Sequence, residues 1–296
     1  MIKEINGISY SLREEQDFSW LEKEGKVFSC IDQTGSGCIC FGVENNGQKY
    51  FYKIAGAKTM GAEIGCLESI ELLKKAVSIY KDIKHPNLIE FVKEFEINEF
   101  YVAVFKWAEG ECLFDHWNFD LYKKNPKMIT PMMAFKNLSM NQKLDAIEVL
   151  FDFMETVVNS NYVAVDFYDS SLMYDFYNNH LTICDIDLFE KQPWSNQVGE
   201  DYFGTKRLKA PEENMKGAII DEKTNMFTLG AIICDLLSDI NNKKERYERG
   251  CFILNSRCDY HFNDKSYEVL KKATDYNREN RYLSIKEFHE EWKKCL

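Results

Sequence analysis

The sequence predicts an α+β fold: a β-rich first part with one helix set into it, then a larger, mainly helical part. Three observations carry this. Residues 26–55 hold three short runs rich in aromatic and β-branched residues, separated by glycine-containing turns. Residues 62–83 switch to apolar residues at intervals of three and four. After Gly110 the helical period dominates. The expected division is 1–109, with an N-terminal extension over 1–24, and 110–296.

The elements follow in order. Strands are expected at 26–32 and 38–44, flanking the turn Gln33-Thr34-Gly35-Ser36-Gly37. Residues 44–47 form a hairpin turn, because Asn46-Gly47 tolerates positive φ. A third antiparallel strand runs over 48–54 and carries Lys53. In the helix expected over 62–83, Leu67, Ile70, Leu73, Val77, Tyr80 and Ile83 share a face, and His85-Pro86 stops it. Strands at 88–92 and 100–105 complete a five-stranded antiparallel sheet with one helix inserted after the third strand. Residues 113–140, with Pro126 and Pro131, read as an irregular insertion. An amphipathic helix follows over 143–158, a nearly all-apolar one over 226–237, and a last one over 285–292 behind a capping box at Ser284 and Glu287.

Composition narrows the function classes. Hydrophobic residues are 45% and charged residues 29% of the 296, which supports a packed core and excludes disorder. The net charge of -11 argues against nucleic acid or an anionic membrane as the main partner. Ten cysteines include no zinc-type pair of close doublets, and they read as small core residues. Without a signal-like N-terminus or an apolar run of roughly 20 residues, a reduced, cytoplasmic protein is expected.

Chemistry concentrates in one stretch. Asp166 and Asp169 follow the apolar run 162–165, and Asp185 and Asp187 follow 181–184. Two acidic pairs on neighbouring loops have the order and spacing of the base and the metal ligand of a phosphoryl-transfer site.

This order of elements resembles the protein-kinase superfamily, over roughly residues 25–294. Ala210-Pro211-Glu212 is similar to the end of a kinase activation segment, with Gly204-Thr205 ahead of it. The run from Asn225 to Gly230 resembles the Asp-x-Trp-Ser-x-Gly helix with Asn in place of Asp, and Arg281 resembles the arginine that pairs with the Glu of Ala-Pro-Glu. The resemblance implies a bilobal fold and a divergent, bacterial-type serine/threonine kinase using ATP and Mg²⁺. It implies a buried, bidentate Glu212–Arg281 pair. It makes Asp166 the catalytic aspartate, Lys53 the phosphate-binding lysine and Asp185 the Mg²⁺ ligand. Gly35 and Gly37 become the glycine loop, and Phe105, Trp107 and Ala108 the hinge, where the backbone of Trp107 and Ala108 would bond an adenine edge.

The departures are as informative. His-Arg-Asp reads Ala164-Val165-Asp166, so no arginine docks an activation-loop phosphate at Ser195, Tyr202 or Thr205. The lysine two residues after the aspartate is Tyr168, and the metal-binding asparagine is Ser171. Asp-Phe-Gly reads Asp185-Ile186-Asp187, and Asp187 or Asp169 is a candidate second-metal ligand. The third loop glycine is Cys40, Phe51 crowds the adenine position, and the C-helix glutamate falls on Ala76, with Glu68 and Glu71 misplaced as substitutes. Three functions follow: a protein phosphotransferase; a pseudokinase that binds nucleotide or scaffolds; and a small-molecule kinase resembling aminoglycoside phosphotransferases, whose pocket would use 113–140. The partner is a protein or a small-molecule hydroxyl.

Overall fold

The computed structural model describes residues 1–239, 247–248 and 250–296. It is an α+β chain with eight α-helices among the described residues and several antiparallel sheets, the largest five-stranded. The chain divides into two compact units, 1–82 with 89–108, and 83–88 with 109–296.

In the first unit a hairpin, β1 (Ile2–Ile5) and β2 (Ile8–Ser11), and a single-turn α1 (Leu21–Glu24) precede the sheet. The sheet strands are β3 (Lys26–Ile31), β4 (Cys38–Asn45), β5 (Gln48–Ala55), β6 (Phe91–Ile97) and β7 (Phe100–Lys106), in the order β3-β4-β5-β7-β6 and all antiparallel. Helix α2 (Cys66–Asp82) lies between β5 and β6 in the chain.

The two-residue period of the strands separates two faces. Ile39, Phe41, Val43, Tyr52, Ile54, Val102 and Val104 point to one face and pack against Ile5, Tyr10, Leu12, Phe18, Trp20 and Leu21. The extension over 1–24 thus forms one side of a hydrophobic core. Cys40, Lys53 and Ala103, cross-strand neighbours, point to the other face. There α2 covers the sheet, with Tyr80 edge-on to Phe105 at 4.8 Å and Ser69 Oγ 3.7 Å from Cys38 Sγ.

Several boundaries and one cap differ from those expected from the sequence; the helices expected over 143–158 and 226–237 span Met140–Asn159 and Glu222–Leu236. Helix α2 begins at Cys66, and Leu67 is exposed while Ala76 and Ile79 join Leu73, Val77 and Tyr80 inside. The fourth sheet strand is Phe91–Ile97: residues 86–87 form a turn closed by the Leu88 N–H bond to the His85 carbonyl, and Leu88 bridges Ile183 outside this sheet. The box at Ser284 forms in one half: its Oγ accepts from Glu287 N–H, but Glu287 Oε2 accepts from Leu283 N–H.

The second unit opens with β8 (Glu111–Cys112) and two short helices, α3 (Phe119–Lys124) and α4 (Pro131–Lys136), within the stretch read as irregular. Helix α5 (Met140–Asn159) has the complete capping box of Ser139 and Gln142 and buries Ile147, Leu150, Phe151, Met154 and Val157. After it come β9 (Tyr162–Val163), β10 (Leu172–Asp175), β11 (His180–Ile183), β12 (Glu190–Lys191), β13 (Trp194–Ser195) and β14 (Ile219–Ile220). Helix α6 (Glu222–Leu236) is buried almost all round. Past it lie β15 (Tyr247–Glu248), β16 (Cys251–Phe252), α7 (Asp264–Ala273) and α8 (Ile285–Lys293). Among the described residues no helix is long and apolar enough to cross a membrane.

Candidate active site

The two acidic loops are tied together by the backbone. Strands β10 and β11 pair Leu172 with Ile183, and Cys184 N–H bonds the Ser171 carbonyl at 2.8 Å. Asp166 therefore precedes, and Asp185 follows, one small hairpin. Both aspartates hold left-handed backbone, at φ 60° and 52°. Among the described residues, the other non-glycine residues with positive φ are Asn6, Asn46, Asn98, Asn161 and Asn179, all asparagine. Asparagine and aspartate tolerate this region alike.

Asp166 is half-buried, and burial with the nearby Asp185 charge pushes its carboxyl up to about 7. Lys209 and a hydrogen bond from Gly204 N–H act against that rise. The loop is anchored from below: Asn225 Oδ1, on α6, accepts from Ala164 N–H at 2.9 Å. Asp185 is exposed, Asp187 half-buried, and Ser171 buried.

Asp169 is engaged elsewhere. It is buried and ion-paired with Arg207, whose other nitrogen meets Asp235 Oδ2 on α6 at 2.9 Å. The guanidinium also lies 4.6 Å from the centre of the Phe114 ring. Burial pushes the Asp169 carboxyl up to about 6, against the pull of Arg207. Of the two candidates for a second-metal ligand, Asp169 thus belongs to a structural ion pair and Asp187 is left. Mg²⁺ binds through one or two carboxylates and keeps much of its water, so Asp185 and Asp187 fit that ion without Asp169.

Among the described residues, the three-residue group of potential metal ligands with donor atoms within 4.8 Å is elsewhere: Glu148, Asp152 and His289, on α5 and α8. There His289 Nδ1 meets Glu155 at 2.7 Å and Nε2 meets Glu148 at 2.9 Å, and Lys293 reaches Glu148 at 2.8 Å. These are hydrogen bonds and a Lys293–Glu148 ion pair between two helices, and the partners satisfy one another.

The segment after the acidic loops ends in the Ala210-Pro211-Glu212 turn. Glu212 bonds Arg281 twice, Oε1 to Nη1 at 2.6 Å and Oε2 to Nη2 at 3.0 Å, with side chains 3% and 0% exposed. This is the buried, bidentate pair expected from the sequence. Thr224 Oγ1 adds a third bond to the carboxylate at 2.9 Å. Burial pushes Glu212 up, but the Arg281 bonds outweigh it and hold the carboxyl below its usual range.

Glu213 next to it behaves in the opposite way. Burial, with the Glu212 charge a smaller cause, pushes its carboxyl up to about 8, and Oε2 accepts from Ala210 N–H at 2.6 Å. A raised folded-state pKa stabilises below the unfolded value of about 4.3 and loses that contribution as pH rises toward the folded value. The contribution of this one group therefore shrinks as pH climbs from about 4.3 to about 8. Glu213→Gln, whose amide oxygen still accepts from Ala210, should flatten the upper part of this fall. Thermal melts of both proteins between pH 5 and 8.5 read it, and parallel curves would refute it.

In the first unit, Lys53 is half-buried on the α2 face of β5. Ala76 is buried on α2, while Glu68 and Glu71 are exposed on that helix. The glycine turn is backed by following chain: Glu63 N–H bonds the Gly35 carbonyl at 2.9 Å and Ala57 N–H the Gly37 carbonyl at 3.2 Å. Gly37 has φ 67°, and a Cβ there would lie 3.1 Å from Ser69 on α2. That glycine serves helix packing as well as the turn.

The hinge expected from the sequence is aromatic and partly committed. Trp107 N–H already bonds the Lys49 carbonyl at 3.1 Å, so this donor is not open to an adenine edge. Phe28 packs edge-on to Trp107 at 4.8 Å, and Phe51 lies 6.3 Å from Trp107 and 6.5 Å from Phe105. No protein-family model matches the chain, and no curated protein matches it in sequence.

Sequence reasoning missed Arg207 and Lys209. Both stand in the Gly204–Glu212 block, five and three residues before Glu212, and their charge was the available signal.

Proposed function

We propose that the protein is an ATP-dependent phosphotransferase of the serine/threonine protein-kinase type, with the bilobal fold of that family. It would move the γ-phosphate of Mg-ATP to a hydroxyl. The observation that carries this reading is the pair of left-handed aspartates. Wherever else a non-glycine residue takes positive φ among the described residues, it is asparagine. At 166 and 185 the same backbone carries a carboxylate, although at 166 burial and the nearby Asp185 charge make it costly. Turn formation alone does not require the charge. Base and metal-ligand chemistry does.

In this reading Asp166 orients and deprotonates the acceptor hydroxyl, Asp185 with Asp187 holds Mg²⁺, and Lys53 holds the α- and β-phosphates. The bound metal ion would neutralise charge developing on the transferred group. The Glu212–Arg281 pair and the Asn225–Ala164 bond support the resemblance from outside the site. The Arg207–Asp169 tether supports an activity independent of loop phosphorylation, since it fixes the segment with a residue of the chain itself.

One set of observations favours the second reading, a pseudokinase scaffold. Phe28, Phe51 and Trp107 cluster at the adenine position, and the Trp107 donor is spent. A thermal-shift titration with ATP and Mg²⁺ separates the two. Nucleotide at 100 times its Kd should stabilise by about 2.7 kcal/mol. No shift at millimolar nucleotide would replace the phosphotransferase by the scaffold. Given a shift, radiolabel transfer onto generic proteins, compared with amino-sugars, distinguishes a protein acceptor from a small-molecule one.

A further inference from the structure

Lys209 is only 4% exposed. An ammonium taken out of water needs compensating partners. Its Nζ donates to the Tyr202 carbonyl, and the carboxylates that act on it are first Glu213, then Asp166. One Glu213 oxygen already serves Ala210 N–H, at 2.6 Å. Asp166 is the next carboxylate that acts on Lys209.

Gly204 sets their approach. Its φ is 102°, and a Cβ there would lie 3.4 Å from Lys209 Cε and 3.9 Å from Asp166 Oδ1. The lysine stem and the aspartate thus flank a point where the backbone carries no side chain. The aspartate's own loop, 164–171, carries no lysine or arginine, and position 168 is Tyr168.

We infer that Lys209 is a positioning residue that holds the Asp166 carboxylate in its working orientation from the segment after Gly204, supplying the positive charge that Tyr168 does not. Its catalytic consequence rests on the phosphotransferase reading. The proximity of the two residues rests on the geometry at Gly204 and the burial of Lys209. Neither of the two nearby cations does the work of Lys209. Lys206 lies in the same segment but lowers the pKa of Lys209 by repulsion, and Arg207 is committed to Asp169 and Asp235.

The test compares Lys209→Met and Lys209→Arg in the full chain, with two readouts. In steady-state turnover of Mg-ATP, Lys209→Met should lower kcat by about 10–100-fold with KM for ATP within about twofold, the pattern of an interaction that acts in the chemical step. Lys209→Arg should recover most of the loss. Independently of turnover, the ¹³C resonance of the Asp166 carboxyl carbon, assigned by its loss in Asp166→Asn, should move in Lys209→Met and return in Lys209→Arg at one fixed pH.

Full turnover in Lys209→Met, or an Asp166 resonance that ignores the substitution, overturns the inference. So does a loss shared equally by the Met and Arg variants and matched by their loss of melting temperature, which marks a merely structural lysine. If the unaltered protein turns over no ATP yet the resonance responds as described, the pairing stands and the phosphotransferase reading fails instead.

Discussion

Asp166→Asn should lower phosphotransfer by about 10²–10⁴-fold, the usual contribution of a positioned general base, while leaving the fold intact. The two halves of that expectation have separate grounds. The backbone at 166 sits at φ 60°, and Asn6, Asn46, Asn98, Asn161 and Asn179 take positive φ in the same chain. The substitution is therefore matched to its local conformation and removes little but the charge. It relieves repulsion with Asp185 and removes one of the carboxylates that act on Lys209, so the variant should stay folded. Rate and stability then move independently. A folded Asp166→Asn protein with an undiminished rate would falsify the assignment of the base. A variant that unfolds would contradict the argument from asparagine.

The second large effect is on stability. Glu212→Ala should cost about 3–5 kcal/mol, the range for removing one partner of a buried ion pair. Arg281 would be left with its charge buried and with carbonyl partners only, Asp275 through Nε and Lys223 through Nη1, both at 2.9 Å. The Thr224 hydroxyl would lose its acceptor too. Urea denaturation measures this, and a loss under about 1 kcal/mol, the scale of a solvated pair, would show that Arg281 finds water when Glu212 is gone. The pH dependence runs opposite to that of Glu213. A depressed carboxyl stabilises above its unfolded value and loses the contribution as pH falls through its folded value. Acid should therefore weaken the unaltered protein more than Glu212→Ala.

Particular residues show where the sequence was legible. The Asn46-Gly47 turn and the alternation in 48–54 located β5 and the face of Lys53, because a two-residue period and a two-residue turn are both local signals. The Glu212–Arg281 bond, 69 residues apart, was reached through motif resemblance and not through any local pattern. Other features had no local signal. In β1 and β2 only Ile5 and Tyr10 are buried, too few in four-residue strands to display a period. Leu67 fits the helical stripe by spacing but precedes the first turn in which α2 meets the sheet, and it faces water. In the candidate site, the spacing of Asp166 and Asp185 was legible. The capture of Asp169 by Arg207, 38 residues on, was not, since nothing in a run of letters says which of four carboxylates a distant guanidinium will choose. The use of the Trp107 amide by Lys49 was hidden for the same reason.

The packing of residues 1–24 onto the five-stranded sheet also bears on how the molecule is made. During synthesis these residues leave the ribosome before β4, β5 and β7, whose apolar face they cover. An uncovered apolar strand face is an aggregation hazard while it waits for its cover. Here the cover is already available when the surface appears. The same segment at the far end of the chain would arrive about 270 residues later, and the order of the elements spares the nascent chain that delay.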